Sequence, residues 1–278
     1  MPINPFYSFV IGADRPVGQH LARVLAQENY LYKGLGIESQ ERFAMHSGGQ
    51  PFFVLTPSIF NSADWTEIDA WAERAEEYDA PLVLVSSLAV FQPAADHRYS
   101  EQESSFADTP IAQVLLAAEE RVRKLRRHII LRIGQPFSVQ AGDFAHQLLT
   151  TLRQQQHLLL DDGETFSPTP EDDVAAVLLA ILKQADCTDE LWGTYHFNGV
   201  EPVTAYAFAE ALLSEASQFE DFSEARLEST EQGSKPLVMV PDADVSRLFH
   251  TFGIKRKPWR AGLGRLVRSY YRVEKKEA

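Results

Sequence analysis

A glycine-bearing turn near the start of the chain has the residue types of a phosphate-binding loop. The stretch VIGADRPVGQHL (residues 10–21) follows an apolar run and opens a helical pattern, which predicts a strand, a turn and a helix. In that order the helix N-terminus and free backbone N–H groups can meet a pyrophosphate. Gly12 can make the tight turn, and Gly18 can let the helix pack closely on the strand. We therefore predict a dinucleotide-binding loop that contains Gly12, Ala13, Arg15 and Gly18.

Arg15 and Pro16 occupy the middle of this turn, where a glycine would let the backbone approach the phosphates. A long side chain and a residue without an N–H stand there instead, so a turn that only kept its shape is the competing interpretation. Glu38, twenty residues after Gly18, could accept from both ribose hydroxyls and favour NAD. Arg15 could instead pair with the 2′-phosphate of NADP. The cofactor is thus NADP or NAD, and we expect its binding to be weak or lost.

Strand and helix patterns alternate through the first half of the chain, which predicts a doubly wound, Rossmann-like α/β sheet. Continuous apolar runs at 51–60 and 80–91 are typical of parallel strands covered on both faces, with one helix over 65–78 between them. The regular alternation of strand and helix patterns ends after about residue 135. We predict a dinucleotide-binding domain over residues 1–135 and, over residues 136–278, a smaller α+β substrate lobe. That lobe should be interwoven with the sheet and end in a basic helix.

The second half carries weaker patterns. They predict a Pro-rich polar loop at 161–173, a short strand at 193–199 and a strand at 236–240. Thr204 is the expected N-cap of a helix. His196 is interpreted as a structural residue of the smaller lobe.

The composition excludes several classes of protein. The 278 residues are 45% hydrophobic and 23% charged, an ordinary globular balance, and no apolar run approaches the ~20 residues of a membrane span. A net charge of −13 argues against broad nucleic-acid binding. The single Cys187 excludes an internal disulfide. We expect a cytoplasmic protein that has neither a membrane nor a nucleic acid as its partner.

Other catalytic chemistries find little support. The eight histidines show no metal-ligand spacing, so no metal site is expected. The carboxylates of Asp161–Asp162 and Glu171–Asp173 could form a cluster. Loop solvation and the charge preference of a helix N-terminus explain them better.

Six further segments carry short motifs in a fixed order: VLVSSLAVF, RYSEQESSFADTP, ILRIGQPFS, DDGETFSPTPEDDVAAVLLAIL, GTYHFNGVEPVTAYAFAEALL and DADVSRLFHTFGIKRKPWRAGL. With the glycine turn, they resemble the extended short-chain dehydrogenase/reductase family over nearly the whole chain. More narrowly, they resemble its dTDP-4-dehydrorhamnose reductase branch. The resemblance implies an NAD(P)-binding, sugar-nucleotide-binding protein. It also places Thr56 in the cofactor site, because the strand at 51–60 ends in Thr-Pro-Ser where the family often has Asn-Ala-Ala.

The resemblance implies three catalytic side chains. A Tyr moves the substrate proton, a Lys four residues later lowers the pKa of that Tyr, and a Ser or Thr hydrogen-bonds the reacting oxygen. Ser87 matches the last position. With Ala118-Glu119 as the anchor, the Tyr position is Ile111 and the Lys position is Leu115, and neither can move a proton. We expect both side chains to line a cleft, within an apolar stripe that also includes Ala118.

These departures predict a reductase-like protein that has lost hydride transfer. It would bind a nucleotide or nucleotide-sugar, or act as a regulatory or assembly subunit with a protein partner or a second copy of itself. The alternative is an active NAD(P)-dependent reductase of a 4-keto-deoxysugar nucleotide that uses an unrecognised proton donor. Ser87 is the remnant of the catalytic site in the first interpretation.

Overall fold

The computed structural model describes residues 6–39, 50–94, 97–139, 143–155, 157–236 and 238–277. Its strands are β1 (Phe6–Ile11), β2 (Leu31–Leu35), β3 (Gln50–Leu55), β4 (Leu82–Ser87), β5 (His128–Ile133), β6 (Gln135–Phe137), β7 (His157–Asp161), β8 (Thr165–Phe166), β9 (Pro168–Pro170), β10 (Gly193–Phe197), β11 (Val203–Thr204) and β12 (Arg226–Thr230). Its α-helices are α1 (Pro16–Gln27), α2 (Ser62–Thr66), α3 (Ile68–Glu77), α4 (Pro110–Arg123), α5 (Phe144–Gln155), α6 (Glu171–Ala185), α7 (Ala205–Ala216), α8 (Ser246–Phe252) and α9 (Trp259–Glu277).

A six-stranded parallel sheet forms the centre of the molecule, in the order β10-β5-β4-β3-β1-β2. From β1 the chain crosses to β2 on one side and then returns to place β3 on the other. In a sheet of this kind, ligands bind at the carboxyl ends of the strands where the direction reverses. The predicted Rossmann-like, doubly wound sheet is confirmed, and its crevice lies beyond the ends of β1 and β3.

Helices cover both faces of this sheet, as its apolar strands require. One face is buried by α1, α6 and α8, with Val10, Leu21 and Leu178 among its fully buried side chains. The opposite face is buried by α2, α3 and α4, where Trp71 and Leu115 pack. The helix α4 thus belongs to the sheet's own core.

A third apolar core lies outside the sheet and is built from α5, α7, α9 and the short strands β7 and β8. Phe208 and Trp259 are buried at its centre with their ring centroids 5.3 Å apart. The basic helix α9 packs on acidic neighbours, since Arg265 pairs with Asp172 at 2.9 Å and with Asp173 at 3.0 Å. No helix in the described ranges is long and apolar enough to cross a bilayer.

Two of the predicted elements differ in the first half of the chain. The helix expected over 65–78 is two helices, because α2 ends at Thr66 and α3 begins at Ile68. The apolar run at 80–91 is a strand only to Ser87. Its end turns into a short 3₁₀-helix, Leu88–Val90, because the Ser87 hydroxyl accepts from the N–H of Ala89.

Two predictions for the second half were wrong in type, and a third was confirmed. The expected polar loop at 161–173 contains β8 and β9, and β9 pairs with β6 although two of its three residues are proline. The short strand predicted at 193–199 is confirmed as β10, which joins the main sheet. No strand includes the described residues of 236–240. The polar segment β12 pairs with β7 instead. Its charged side chains leave no alternation of apolar and polar residues that would predict a strand.

Candidate functional site

The glycine turn holds the end of β1, the start of α1 and Thr56 in direct contact. Gly12 has a φ of +88°, which favours glycine, and a Cβ there would lie 2.8 Å from the carbonyl oxygen of Thr56. A Cβ on Gly18 would overlap the carbonyl oxygen of Gly12. The Thr56 hydroxyl fills the remaining space and lies 3.0 Å from the carbonyl oxygen of Ile11. Both positions therefore require glycine for packing.

Most backbone donors of this turn are already engaged. The N–H groups of Gly12 and Ala13 both donate to the carbonyl oxygen of Leu35, at 2.8 and 3.0 Å. The N–H of Arg15 donates to the carbonyl oxygen of Gly12 at 2.9 Å, and Pro16 has no N–H. An anion at this helix end would depend on the first-turn N–H groups that follow Pro16.

Arg15 pairs with Asp64, in the first turn of α2. Its Nε donates to one carboxylate oxygen at 2.8 Å and its second terminal nitrogen to the other at 2.7 Å. Asp64 is only 1% exposed. Its carboxylate also accepts from the Ser58 N–H at 2.9 Å and from the Asn61 amide at 2.6 Å. The hydrogen bonding between Arg15 and Asp64 is the main cause that raises the pKa of Arg15.

Glu38 lies beyond the end of β2, and its side chain is exposed. Its carboxylate folds back towards Gly36, where a Cβ would lie 2.9 Å from Oε1. It is near enough to Arg15 to contribute to the raised pKa of that guanidinium. The structure thus brings the predicted cofactor residues Gly12, Ala13, Arg15, Gly18, Glu38 and Thr56 to the carboxyl ends of β1, β2 and β3.

The three positions expected from the catalytic chemistry lie on β4 and α4. Ser87 is fully buried, and its hydroxyl accepts a hydrogen bond from the N–H of Ala89 at 3.1 Å. Ile111 is half-buried at the start of α4 and packs against the core under that helix. Leu115 is 0% exposed. The expectation that Leu115 lines a cleft was wrong, because α4 turns this side chain into the core between the helix and the sheet.

A buried polar network fixes α4 beside these positions. The sheet register aligns Ser86 with Arg132 and Arg132 with His196, on three adjacent strands. Glu119 on α4 accepts from Ser86 at 2.6 Å and from Arg132 at 2.9 and 2.7 Å. Arg123 adds a further donor to the same carboxylate at 2.6 Å.

His196 completes this network as a neutral group. Its Nε2 lies 3.4 Å from Arg132, and its Nδ1 lies 3.1 Å from the carbonyl oxygen of Tyr99. Burial and then the Arg132 charge lower the pKa of His196 to about 3. Tyr99 donates its hydroxyl to the carbonyl oxygen of Gln92 and stacks on Phe91. His196 is therefore a structural residue, although it lies in the main sheet and not in the smaller lobe.

A small cavity of about 200 Å³, here called the inner cavity, lies at the carboxyl ends of the strands. Its walls include Val17, Thr56, Val85 and Ile133, and Glu171 supplies a carboxyl group. Sequence patterns assigned Glu171 to the charged start of a helix, and it does open α6. Only its position under α1, which no local pattern reveals, buries it to 5% exposure.

The carboxyl group of Glu171 has few partners. Its Oε2 and the Nε2 of His20 are buried atoms without a hydrogen-bond partner among the described residues, and they lie 4.0 Å apart. Burial, and then the nearby charge of Asp143, raises the pKa of Glu171 to about 8. Burial also lowers the pKa of His20. The inner cavity thus contains an acid that holds its proton at neutral pH.

A larger and more open cleft of about 1020 Å³, here called the outer cleft, lies between the loop that follows β4 and the turn that joins β7 to β8. Arg98 and Asp242 meet at its wall at 2.8 Å, and Gln92, His97 and Glu164 also line it. Asp242 further accepts from the Asn198 amide. No group of three metal-binding side chains occurs in the part of the chain that the structure describes.

Comparisons with known proteins agree with this architecture. The family model of the RmlD substrate binding domain matches residues 58–272. A dTDP-4-dehydrorhamnose reductase of Aggregatibacter actinomycetemcomitans is 22% identical over 289 residues, which cover 94% of this chain and 98% of that protein.

Solved structures share the fold at low sequence identity. The dTDP-4-dehydrorhamnose reductase of Clostridium acetobutylicum has a TM-score of 0.75 at 14% identity, over 95% of this chain and 99% of its own. The Bacillus anthracis enzyme of that name, in complex with NADP, has a TM-score of 0.72 at 18% identity, over 95% and 98%. A dTDP-glucose 4,6-dehydratase of the same organism, in complex with NAD, has a TM-score of 0.74 at 13% identity, over 97% and 98%.

Proposed function

The chain belongs to the RmlD substrate-binding-domain family, of the dTDP-4-dehydrorhamnose reductase-like type, and we propose that it has lost hydride transfer while it still binds a nucleotide or nucleotide-sugar. In this proposal the protein serves as a regulatory or assembly subunit, and its ligand state controls a protein partner or a second copy of the chain. The substrate lobe and the Rossmann-like sheet remain as a binding scaffold.

The observation that carries the proposal is the burial of Leu115 at the position where the family resemblance implies a lysine. A lysine there would hold the nicotinamide ribose and lower the pKa of the tyrosine at position 111. Ile111 and Leu115 supply neither function. Ser87, the remaining member of the set, is fully buried and accepts from the N–H of Ala89, and alone it supplies neither the proton transfer nor the cation. General acid–base catalysis contributes ~10²–10⁴-fold, so the loss of the tyrosine alone removes most of an ordinary rate.

For the cofactor, we propose weak binding of NADP or NAD. The relatives solved with NADP and with NAD support a dinucleotide groove at the start of α1. The engaged amides of Gly12, Ala13 and Arg15 and the missing N–H of Pro16 support weak binding at this chain's groove. When bound, a nicotinamide cofactor supplies hydride chemistry, and the glycine turn would hold its phosphates.

For the sugar nucleotide, the outer cleft is the proposed binding site. Its volume lies at the upper end of the ~300–1,000 Å³ typical of small-molecule sites. Arg98 offers a cation at its wall, although Asp242 already accepts from its Nε. The relatives named for a dTDP-linked sugar support this ligand class.

A second candidate is the active reductase with a different proton donor, and Glu171 is the observation that favours it. This carboxyl lines the inner cavity with Val85 and Ile133, near the carboxyl ends of β4 and β5. Its pKa of about 8 keeps it protonated at neutral pH, as a general acid requires.

Two measurements on the purified full-length chain separate these functions. Calorimetry with dTDP and dTDP-glucose should give saturable binding, which Arg98→Ala weakens, whereas Arg126→Ala, at an exposed position before the amino end of β5, should not. NADH or NADPH mixed with dTDP-4-dehydrorhamnose should show no enzymatic loss of nicotinamide absorbance. Saturable binding without turnover supports the first candidate. Turnover that Glu171→Gln abolishes supports the second.

A further inference from the structure

We propose that Asp64 acts as an internal competitor of dinucleotide phosphate: its carboxylate occupies the Arg15 guanidinium, and this ion pair sets how weakly the groove at α1 binds a dinucleotide. The inference rests on the proposed function in one respect, since it takes this groove as a nucleotide site. A ligand that enters this groove must displace a buried carboxylate from Arg15. The ligand class that can do so is a phosphorylated dinucleotide.

The hydrogen bonds of Arg15 carry the first step. Carboxylate and phosphate both bind the planar fork of a guanidinium through two parallel hydrogen bonds. Asp64 takes this arrangement with Nε and one terminal nitrogen, at 2.8 and 2.7 Å. The other terminal nitrogen donates to Asp14. All three nitrogens of Arg15 therefore donate to carboxylates of this chain. A phosphate that binds the two-point edge formed by Nε and its neighbouring terminal nitrogen must displace Asp64.

The fold holds Asp64 in place, so its contact with Arg15 does not depend on a mobile surface side chain. Its side chain is 1% exposed, in the first turn of α2. The Ser58 N–H and the Asn61 amide hold its two oxygens from the other side. A carboxylate held by these two donors needs no reorganisation to bind Arg15, whereas a ligand phosphate must arrive from water.

The position of the pair explains why it controls entry. Arg15 and Val17 line the inner cavity, and so does the segment Pro57–Phe60. Asp64 follows that segment by four residues. The Arg15–Asp64 ion pair thus ties together the two parts of the cavity lining between which a dinucleotide would lie.

The size of the inner cavity points to the same conclusion. At about 200 Å³ it is smaller than the ~300–1,000 Å³ of sites for drug-sized ligands, and a dinucleotide is larger than those ligands. Its walls must separate before a dinucleotide can fit. If the paired state outweighs the open state ~10- to 100-fold, the apparent Kd rises by the same factor.

The test is a double-mutant cycle on NADP binding, measured by calorimetry on the full-length chain. Asp64→Asn preserves the shape of the side chain and an acceptor for the Ser58 N–H, and it releases the charge of Arg15. We expect it to tighten the Kd for NADP at least ~10-fold. In an Arg15→Ala background the same substitution should change the Kd less than ~2-fold, because no guanidinium is left to release. Asp14→Asn, which removes the exposed partner of Arg15, is the matched control and should change the Kd less than ~3-fold.

Arg15→Lys gives a second route if Asp64→Asn does not fold. Lysine keeps the positive charge but cannot form the two-point pair with Asp64, so NADP should again bind more tightly than to the parent. The inference is overturned if Asp64→Asn and Arg15→Lys leave NADP binding unchanged, weaker or undetectable. It is also overturned if Asp64→Asn has the same effect with and without Arg15. Keto-sugar turnover by the parent would contradict the proposed loss of activity. It would not affect the comparison of NADP dissociation constants between the parent and the Asp64→Asn variant.

Discussion

Arg132 and Glu119 form a two-point ion pair in which neither side chain exceeds 1% exposure, with donor–acceptor distances of 2.9 and 2.7 Å. The pair links β5 to α4, and Ser86 on β4 joins it. The helix α4 is therefore fixed in rotation and height against the sheet. Ile111 and Leu115, which lie on the same helix, occupy defined positions, so the missing tyrosine and lysine are not restored by a shifted helix.

Removal of one partner of this pair should strongly destabilise the protein. Glu119→Gln leaves the buried Arg132 charge uncompensated, and the expected loss in the free energy of unfolding is ~3–5 kcal/mol. The neighbouring Glu120→Gln, at an exposed position, should stay within ~0.5 kcal/mol of the parent. Denaturant unfolding at pH 7 measures both. Equal stability of the two variants would show that α4 is held by apolar packing alone.

The two dyad positions should respond differently to the residues that the family resemblance implies. Leu115→Lys places an ammonium group in the core and should cost several kcal/mol or prevent folding. Ile111→Tyr, at a half-buried position, should cost less than ~1.5 kcal/mol, as should the volume-conserving Leu115→Met. Thermal unfolding of the three single variants is the measurement. A Leu115→Lys protein that melts within a few degrees of the parent would mean that an open cleft reaches this side chain.

Glu171 should make the stability fall as the pH rises. Its pKa of about 8 in the folded chain exceeds the ordinary value of 4.5, so the folded state binds more protons between these values. The free energy of unfolding therefore decreases across this window, by up to ~1.4 kcal/mol per pH unit from this group. Glu171→Gln should flatten the decrease between pH 5 and 8 and gain stability relative to the parent towards pH 8. Parallel pH profiles of the two proteins would contradict the assigned burial.

The glycine turn should tolerate no side chain at its packing position. Gly18→Ala introduces a methyl group against the carbonyl oxygen of Gly12 and should cost more than ~1 kcal/mol. Gly163→Ala, with nothing within 4 Å of the added Cβ, should change the stability by less than ~0.5 kcal/mol. Chemical denaturation compares the two. If Gly18→Ala were as stable as Gly163→Ala, α1 would have room to move away from β1.

Local patterns predicted the parts of the fold that depend on local physics. The Thr204 cap of α7 follows from residue chemistry and occurs as expected. The helix α1 begins at Pro16, a residue favoured at the first helical position. The parallel strands follow from uninterrupted apolar runs. The strand β9 was missed because two prolines dominate its three residues, and β12 was missed because its Arg and Glu resemble a solvated surface.

The sequence predicted the candidate site only where the contacting residues lie in one short segment. Gly12 and Gly18 lie in one turn, and their contacts follow from it. The Arg15–Asp64 pair joins residues 49 positions apart, and no sequence spacing indicates it. Burial under a helix that is far away in sequence raises the pKa of Glu171. Leu115 was assigned to a cleft by resemblance, whereas the packing of α4 on the sheet decides its environment.

The central claim, that this reductase-like chain does not transfer hydride, is tested most directly by a single-turnover assay. The protein would be mixed in excess over NADPH with dTDP-4-dehydrorhamnose, and nicotinamide absorbance would be followed beside an active dTDP-4-dehydrorhamnose reductase under identical conditions. High protein concentration compensates for weak cofactor binding, so the rate reports the chemical step. The account predicts a rate constant at least ~10²-fold below that of the active enzyme, because no general acid stands at position 111. A rate constant on the order of 1 s⁻¹ or more would contradict it.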